Sequence, residues 1–153
     1  MKIGVPKETL SGETRVALIP SLASLLTRDT HEVVIERDAG LAASFTDDQY
    51  VSANASIASD AAAIYKQSDI ILKVQPPTQA EAELFHEGIS YIGFLAPLAN
   101  RGIIHTFLAR RITSYSMEYI PRIARAQSMD ALSSMATVAG YKAVLLATEH
   151  LGK

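Results

Sequence analysis

The sequence predicts a doubly wound α/β sandwich, a parallel sheet with helices on both faces, followed by a long C-terminal helix. Strand-like and helix-like stretches alternate along most of the chain. One strand candidate, Ile70-Ile71-Leu72-Lys73-Val74, is apolar almost throughout, as in a strand covered on both faces. From about Met129 to Leu151 the pattern is helical alone.

Taken in order, Lys2 to Val5 reads as a short strand. Pro20-Ser21 then opens a helix whose Leu22, Leu25 and Leu26 fall at the i, i+3, i+4 spacing of one buried face. His31 to Glu36 is a β-branched strand ending before Gly40, and Ser59 to Gln67 is alanine-rich and helical by propensity. The strand at Ile70 to Val74 is stopped by Pro76-Pro77. A helix over Gln79 to His86, a strand over Ile89 to Leu95, a helix over Asn100 to Arg110 and a strand over Ile112 to Tyr115 continue the rhythm. Helices between successive strands imply right-handed crossovers and a parallel sheet of flavodoxin-like or Rossmann-like kind. The final helix carries Leu132, Met135, Ala136, Ala139, Ala143 and Leu146 along one stripe, with small Ser133, Ser134 and Gly140 permitting close approach of a neighbour.

With 153 residues, 48% hydrophobic and 20% charged, the chain fits one compact domain over residues 1–153. Its formal net charge is −2 and no run of Lys or Arg occurs, which argues against nucleic acid or anionic lipid as a partner. Cysteine is absent, so disulfides, thiolate catalysis and Cys-ligated zinc are excluded. The N-terminal residues Met1 to Glu8 are charged too early for a signal peptide, and no stretch reads as the ~20 apolar residues of a membrane span. The expectation is a cytoplasmic domain with no direct membrane insertion. His31, His86, His105 and His150 are scattered without ligand spacing, so they read as surface residues and no metal is expected. No G-x-G-x-x-G occurs, so the usual pyrophosphate cradle at a helix N-terminus is not encoded in this chain.

The densest polar cluster is the run from Pro121 to Ala136, PRIARAQSMDALSSMA, with two guanidiniums, an amide, a carboxylate and two hydroxyls at the start of the last helix. Its order resembles a signature of the alpha subunit of proton-translocating NAD(P) transhydrogenase. Met1 to Pro20, MKIGVPKETLSGETRVALIP, resembles the N-terminal segment shared by transhydrogenases and alanine dehydrogenases. The resemblance implies hydride exchange between NAD(H) and NADP(H), coupled to proton translocation. It implies an NAD(H) site completed by a Gly-rich NAD-binding second domain, and NADP(H) held on a partner subunit. It also implies membrane-embedded and NADP-binding partner subunits, a homodimer through the alpha subunit, and a place on the cytoplasmic side, peripheral to the inner membrane.

Hydride transfer between two nicotinamides needs no nucleophile or metal from the protein; it needs the rings held face to face with water excluded. By resemblance, Arg122, Gln127, Asp130 and Ser133 surround the nicotinamide and its ribose, with Gln127 and Asp130 the catalytic pair. The chemistry agrees: a carboxamide wants a donor and an acceptor, Gln127 and Ser133 offer both, and an Arg122–Asp130 pair would fix the guanidinium. Asp130 and Ser133 are one turn apart on one helix face. The plain alternative is a capping Asp beside a solvated Arg.

Arg15 and Lys73 form a second, substrate-pocket constellation, since a lysine closing an apolar strand stands at the carboxyl edge of a parallel sheet, where ligands gather. In alanine dehydrogenases, the resemblance implies, such residues grip pyruvate with help from a histidine after the next strand. Here that strand continues Gly93-Phe94-Leu95-Ala96-Pro97-Leu98-Ala99-Asn100, without histidine and in the transhydrogenase manner. Arg15 and Lys73 then support local architecture or bind an anion, the alternative for Lys73 being a snorkelling surface residue. Lys7 and Glu8 read as a surface ion pair. Tyr115, Met117 and Tyr119 alternate as in a half-buried strand, and core is the favoured reading over a shield for the nicotinamide. Two other functions stay open: the substrate domain of an alanine or related amino-acid dehydrogenase, and a catalytically inactive binding or assembly module.

Overall fold

A computed structural model of the chain describes residues 1–151. Two compact units emerge, Met1–Ser116 and a shorter C-terminal one beginning at Met117. In the first, six strands, β1 (Lys2–Val5), β2 (Glu32–Glu36), β3 (Ser56–Ala58), β4 (Ile70–Leu72), β5 (Ser90–Gly93) and β6 (Thr113–Ser116), form one sheet in the order β3-β2-β1-β4-β5-β6. Every pairing is parallel, with Ile3 opposite Val33 on one side and Ile70 on the other. This is the doubly wound order, and its strand direction of travel reverses between β1 and β4.

The helices divide as right-handed crossovers require. Helices α1 (Pro20–Arg28) and α2 (Asp47–Ser52) cover one face, where Val33 and Ile35 of β2 pack with Val5, Leu18, Ala23 and Tyr50. Helices α3 (Ala61–Gln67), α4 (Gln79–Ala82) and α5 (Arg101–Ala109) cover the other, where Val34 joins Ile64, Tyr65, Phe85, Tyr91 and Phe107. The β2 alternation thus feeds two cores. On the second face Phe85 is the hub of a ring cluster, with centroids 4.8 Å from Tyr65 and 5.2 Å from Phe107.

Several local expectations are corrected. In α1 the residue fully buried is Ala23, with Leu26 beside it, while Leu22 and Leu25 are 48% and 52% exposed. Leu26 belongs to two overlapping helical faces, and the small side chain sets the one that lies against the sheet. Between β2 and α3 lie a 3₁₀ turn (Leu41–Ala43), α2 and β3, none of them anticipated. Helix α2 starts on a capping box in which the Thr46 N–H donates to Gln49 Oε1 at 2.9 Å. β6 is an edge strand, so Tyr115 is 59% exposed rather than core, and Tyr119 beyond it is exposed too. His86 is exposed but not free in solvent, since its Nε2 lies 2.9 Å from the Ser68 carbonyl.

The C-terminal unit contains 3₁₀ turns at Met117–Tyr119 and Ala124–Met129, and helix α6 (Ala131–His150). No residue of α6 is buried, and its apolar side chains are spread around the axis rather than gathered in one stripe. Against the expectation from sequence, α6 is long and apolar enough to cross a membrane by length and composition, with mean hydropathy 1.2. Its alanines, serines and threonines interrupt the leucines and valines, so the sequence shows no unbroken apolar run of spanning length there.

Candidate functional site

In a doubly wound sheet the loops after the strands diverge where the strand order reverses, leaving a crevice at the carboxyl edge. Here the reversal lies between β1 and β4, so the crevice falls between residues 6–11 and residues 73–79. A cleft of about 630 Å³ opens there, its third wall being the first turn of α5.

One buried cation ties these walls together. Lys73 Nζ lies 2.9 Å from Glu81 Oε1 and 3.5 Å from Glu8 Oε2, and its side chain is 1% exposed. Glu8 also accepts from the backbone N–H groups of Val74 and Gln75, at 2.6 and 3.3 Å. Glu81 accepts from the Thr78 N–H at 2.7 Å, closing a capping box on α4, and from the Tyr65 hydroxyl at 3.3 Å. Burial alone would raise the Glu81 pKa, but the Thr78 N–H and Lys73 outweigh it and the carboxyl is held below its usual range. Burial and the neighbouring Glu81 push the Tyr65 phenol far up. Lys73 is therefore neither a snorkelling surface residue nor open to an anion; it supports the local architecture. Glu8 is likewise a buried hub, not half of a surface pair with Lys7.

Arg15 is also spoken for. Its Nε and terminal nitrogen donate to the two oxygens of Glu13 at 2.8 and 2.6 Å, a bidentate clamp, and Gln75 Nε2 donates to the same carboxylate at 2.6 Å. The guanidinium and the amide hold Glu13 at about 2, well under its ordinary 4.5. The residue that lines the cleft is Gln75, two positions beyond Lys73. Sequence reasoning passed over it, and over Glu13 and Glu81. A legible signal for Glu81 was Thr78-x-x-Glu81, the capping-box spacing.

The 121–136 segment lies in the C-terminal unit. Asp130 caps α6: its carboxylate accepts from the Ser133 N–H at 2.9 Å and from the Ser133 hydroxyl at 2.5 Å. Those two bonds, the hydroxyl first, lower the Asp130 pKa, with a smaller contribution from the field of Arg122. The expected Arg122–Asp130 ion pair does not form within 4.0 Å; Ser133, one turn on, takes the carboxylate instead. Arg122 and Gln127 are exposed, and neither side chain makes a hydrogen bond or ion pair among the described residues. Because the Ser133 O–H points at Asp130, the serine oxygen is left as an acceptor. Sequence reasoning thus brought together Asp130 and Ser133 correctly, as neighbours through a cap. Among the described residues no group of His, Asp and Glu is arranged to hold a metal.

Residues 4–139 match the family model described as alanine dehydrogenase/PNT, N-terminal domain. The chain belongs to that family. It is 42% identical over 153 residues, all of its length, to the NAD(P) transhydrogenase subunit alpha of Cereibacter sphaeroides, covering 29% of that protein. It is 41% identical over 152 residues, 99% of its length, to the NAD(P) transhydrogenase subunit alpha of Haemophilus influenzae, again covering 29%. The solved transhydrogenase of Sinorhizobium meliloti superposes over the whole chain with TM-score 0.93 and 35% identity, 46% of that structure being covered. Alanine dehydrogenases are more distant, that of Methanococcus maripaludis being 33% identical over 153 residues. The chain thus spans less than half the length of each of these transhydrogenase relatives.

Proposed function

We propose that the chain acts as the N-terminal domain of a proton-translocating NAD(P) transhydrogenase alpha subunit and lines the nicotinamide side of the NAD(H) cleft. The observation that supports this most is the state of the 121–136 segment: Arg122 and Gln127 are exposed and unpaired among the described residues, and Asp130 holds Ser133 as an acceptor. Polar groups left free in this way suit a carboxamide, which takes one acceptor and one donor. Gln127 and Ser133 bind and orient the carboxamide, Arg122 faces the ribose and phosphate side, and Asp130 fixes the polarity of Ser133. Hydride passes between nicotinamide rings, and these residues contribute by placing one ring and keeping its tilt. A following NAD-binding domain supplies the pyrophosphate contacts. NADP(H) sits on a partner subunit, the alpha subunits pair as a homodimer, and membrane-embedded subunits carry the proton, leaving this domain on the cytoplasmic side, peripheral to the inner membrane. Alone, the chain is inactive.

The test is an assay of the intact protein with its partner subunits. Transfer from NADH to an NADP analogue, with no NADH oxidation by pyruvate plus ammonium, is the expected result. Turnover of pyruvate at an ordinary enzymatic rate would instead assign the alanine dehydrogenase reaction, although Ala96-Pro97 offers no imidazole where such an enzyme needs one. If the intact protein does neither, the binding or assembly role stands in place of both.

A further inference from the structure

The cleft at the β1/β4 reversal is lined by residues of the first unit alone, and it has the size and place of a ligand site. Its volume of about 630 Å³ falls in the range of small-molecule pockets, roughly 300–1,000 Å³. The charge of its walls restricts what it can take. Among its described lining residues none is Lys, Arg or His, and the acidic one is Glu8. Of the cations around it, Arg15 and Lys73 are each consumed by carboxylates, while Lys7 and Arg101, next in sequence to lining residues, are exposed and are not among the lining. On the lining itself an anion would meet a carboxylate and no cationic side chain, so an uncharged ligand suits these walls better.

What the walls do offer is amide chemistry. Gln75, Gln79 and Asn100 each donate their side-chain N–H elsewhere, to Glu13 at 2.6 Å, Thr106 at 2.9 Å and the Leu95 carbonyl at 2.8 Å. Those bonds orient three amide groups, each with its carbonyl oxygen as an acceptor and, on Gln75 and Asn100, a second N–H beside it. Beside Asn100 and Gln79, the Gly102 and Ile103 backbone N–H groups lie in the first turn of α5, where no intrahelical acceptor exists. The hydroxyls of Thr9 and Ser11 add further donors on the wall formed by residues 6–11. Pro76, Pro77 and Ile103 give an apolar surface for a flat ring or chain.

We propose that this cleft binds a small uncharged molecule bearing a primary carboxamide, whose N–H groups are taken by the side-chain amide oxygens and whose oxygen is taken by the α5 N–H groups. The planar group presents two donors and one acceptor, matching the walls, while the isosteric carboxylate presents acceptors only and a charge. Gln75 is the specificity-determining residue. Its Nε2 is fixed on Glu13, so its oxygen is held as an acceptor, a polarity that selects amide over acid.

The experiment titrates the 153-residue chain, labelled for backbone and side-chain amide NMR, with benzamide and then with benzoate. The two share a ring and differ in the group the cleft is inferred to read. Benzamide is expected to shift Gly102, Ile103 and the Gln75 side chain saturably in the millimolar range, with benzoate at least about tenfold weaker, a difference of ~1.4 kcal/mol. Benzoate binding as tightly or more tightly would overturn the proposal in favour of an anion site, and the absence of saturable shifts from either would remove the site. Gln75→Met keeps length and apolar packing; it should weaken benzamide binding about fivefold or more. Unchanged affinity in that variant, with sheet resonances intact, would refute the role given to Gln75. Because the readout is ligand binding by this chain, the outcome is independent of whether the assembled protein proves to be a transhydrogenase.

Discussion

Lys73→Met is the sharpest test of how the first unit is held. The substitution keeps the length and apolar stem of the lysine and deletes the ammonium that lies between Glu8 and Glu81. Both carboxylates keep their backbone N–H donors, Val74 and Gln75 for one and Thr78 for the other, so neither is wholly unsatisfied. What is lost is the countercharge for buried acids. Removing one partner of a buried pair typically costs about 3–5 kcal/mol, against a total stability of roughly 5–15 kcal/mol for a small domain. The melting temperature should fall by roughly 6–20 °C for a chain of this size. The pH dependence gives a second, signed readout. Without Lys73 one of the groups that offset the burial of Glu81 is gone, so its folded-state pKa rises from its place in the wild type. A carboxyl whose folded pKa is higher in the variant than in the wild type costs the variant most at neutral pH and least in acid, so the deficit should shrink as pH falls through the carboxylate range. Adding Glu81→Gln to Lys73→Met should restore part of the loss, because one of the stranded charges is gone. Urea melts at several pH values measure all of this. A loss under ~1 kcal/mol, with no pH dependence and no rescue by the double variant, would refute the claim that this ion cluster ties the cleft walls.

Three further outcomes are expected. Gly93→Ala places a methyl against the backbone oxygen of Lys73 and within 2.7 Å of the Tyr91 hydroxyl, so the β4–β5 edge must shift; thermal melts should show a loss of about 2 kcal/mol or more. Glu13 is held at about 2 when folded against 4.5 when free, so its contribution to stability is complete above pH 4.5 and is lost as pH falls toward 2. Removing Arg15 as Arg15→Met should flatten that part of the acid-denaturation profile, and an unchanged profile would contradict the clamp. The isolated chain should bind NADH no better than millimolar by calorimetry, since it contains no G-x-G-x-x-G loop for the pyrophosphate; a micromolar constant would reveal a complete dinucleotide site.

Much of the sheet was legible because its strands are apolar runs bounded by helices, and the βαβα rhythm leaves few topologies. β3 was not, because three residues show no periodicity of their own; Ser56–Ala58 is a strand by virtue of its pairing with β2. The inward face of α1 was misread because Ala23, the best-buried residue there, is weakly apolar, and Leu22 and Leu25 look stronger in a pattern. Site residues divided along similar lines. The contact between Asp130 and Ser133 was legible because capping chemistry is local, three residues apart. Lys73 was seen but misjudged, since its partners Glu8 and Glu81 come from separate elements, and only the pairing of β1 with β4 and the packing of α4 bring them to it. Gln75 and Glu13, 62 residues apart, met the same obstacle.

The central claim is that the 121–136 segment positions a nicotinamide, and Asp130→Asn tests it most directly. Asparagine caps nearly as well as aspartate, so the stability cost should be well under ~1 kcal/mol. Its amide, however, donates toward Ser133 Oγ where the carboxylate accepted, which turns the serine hydroxyl outward as a donor and reverses the polarity offered to a carboxamide. In the assembled enzyme, stopped-flow transfer from NADH to an NADP analogue should slow by about tenfold or more, equivalent to ~1.4 kcal/mol in the transition state, and Gln127→Ala should do likewise with affinity changing less than rate. Wild-type transfer rates per folded molecule in both variants would contradict the account and leave Asp130 as a helix cap alone.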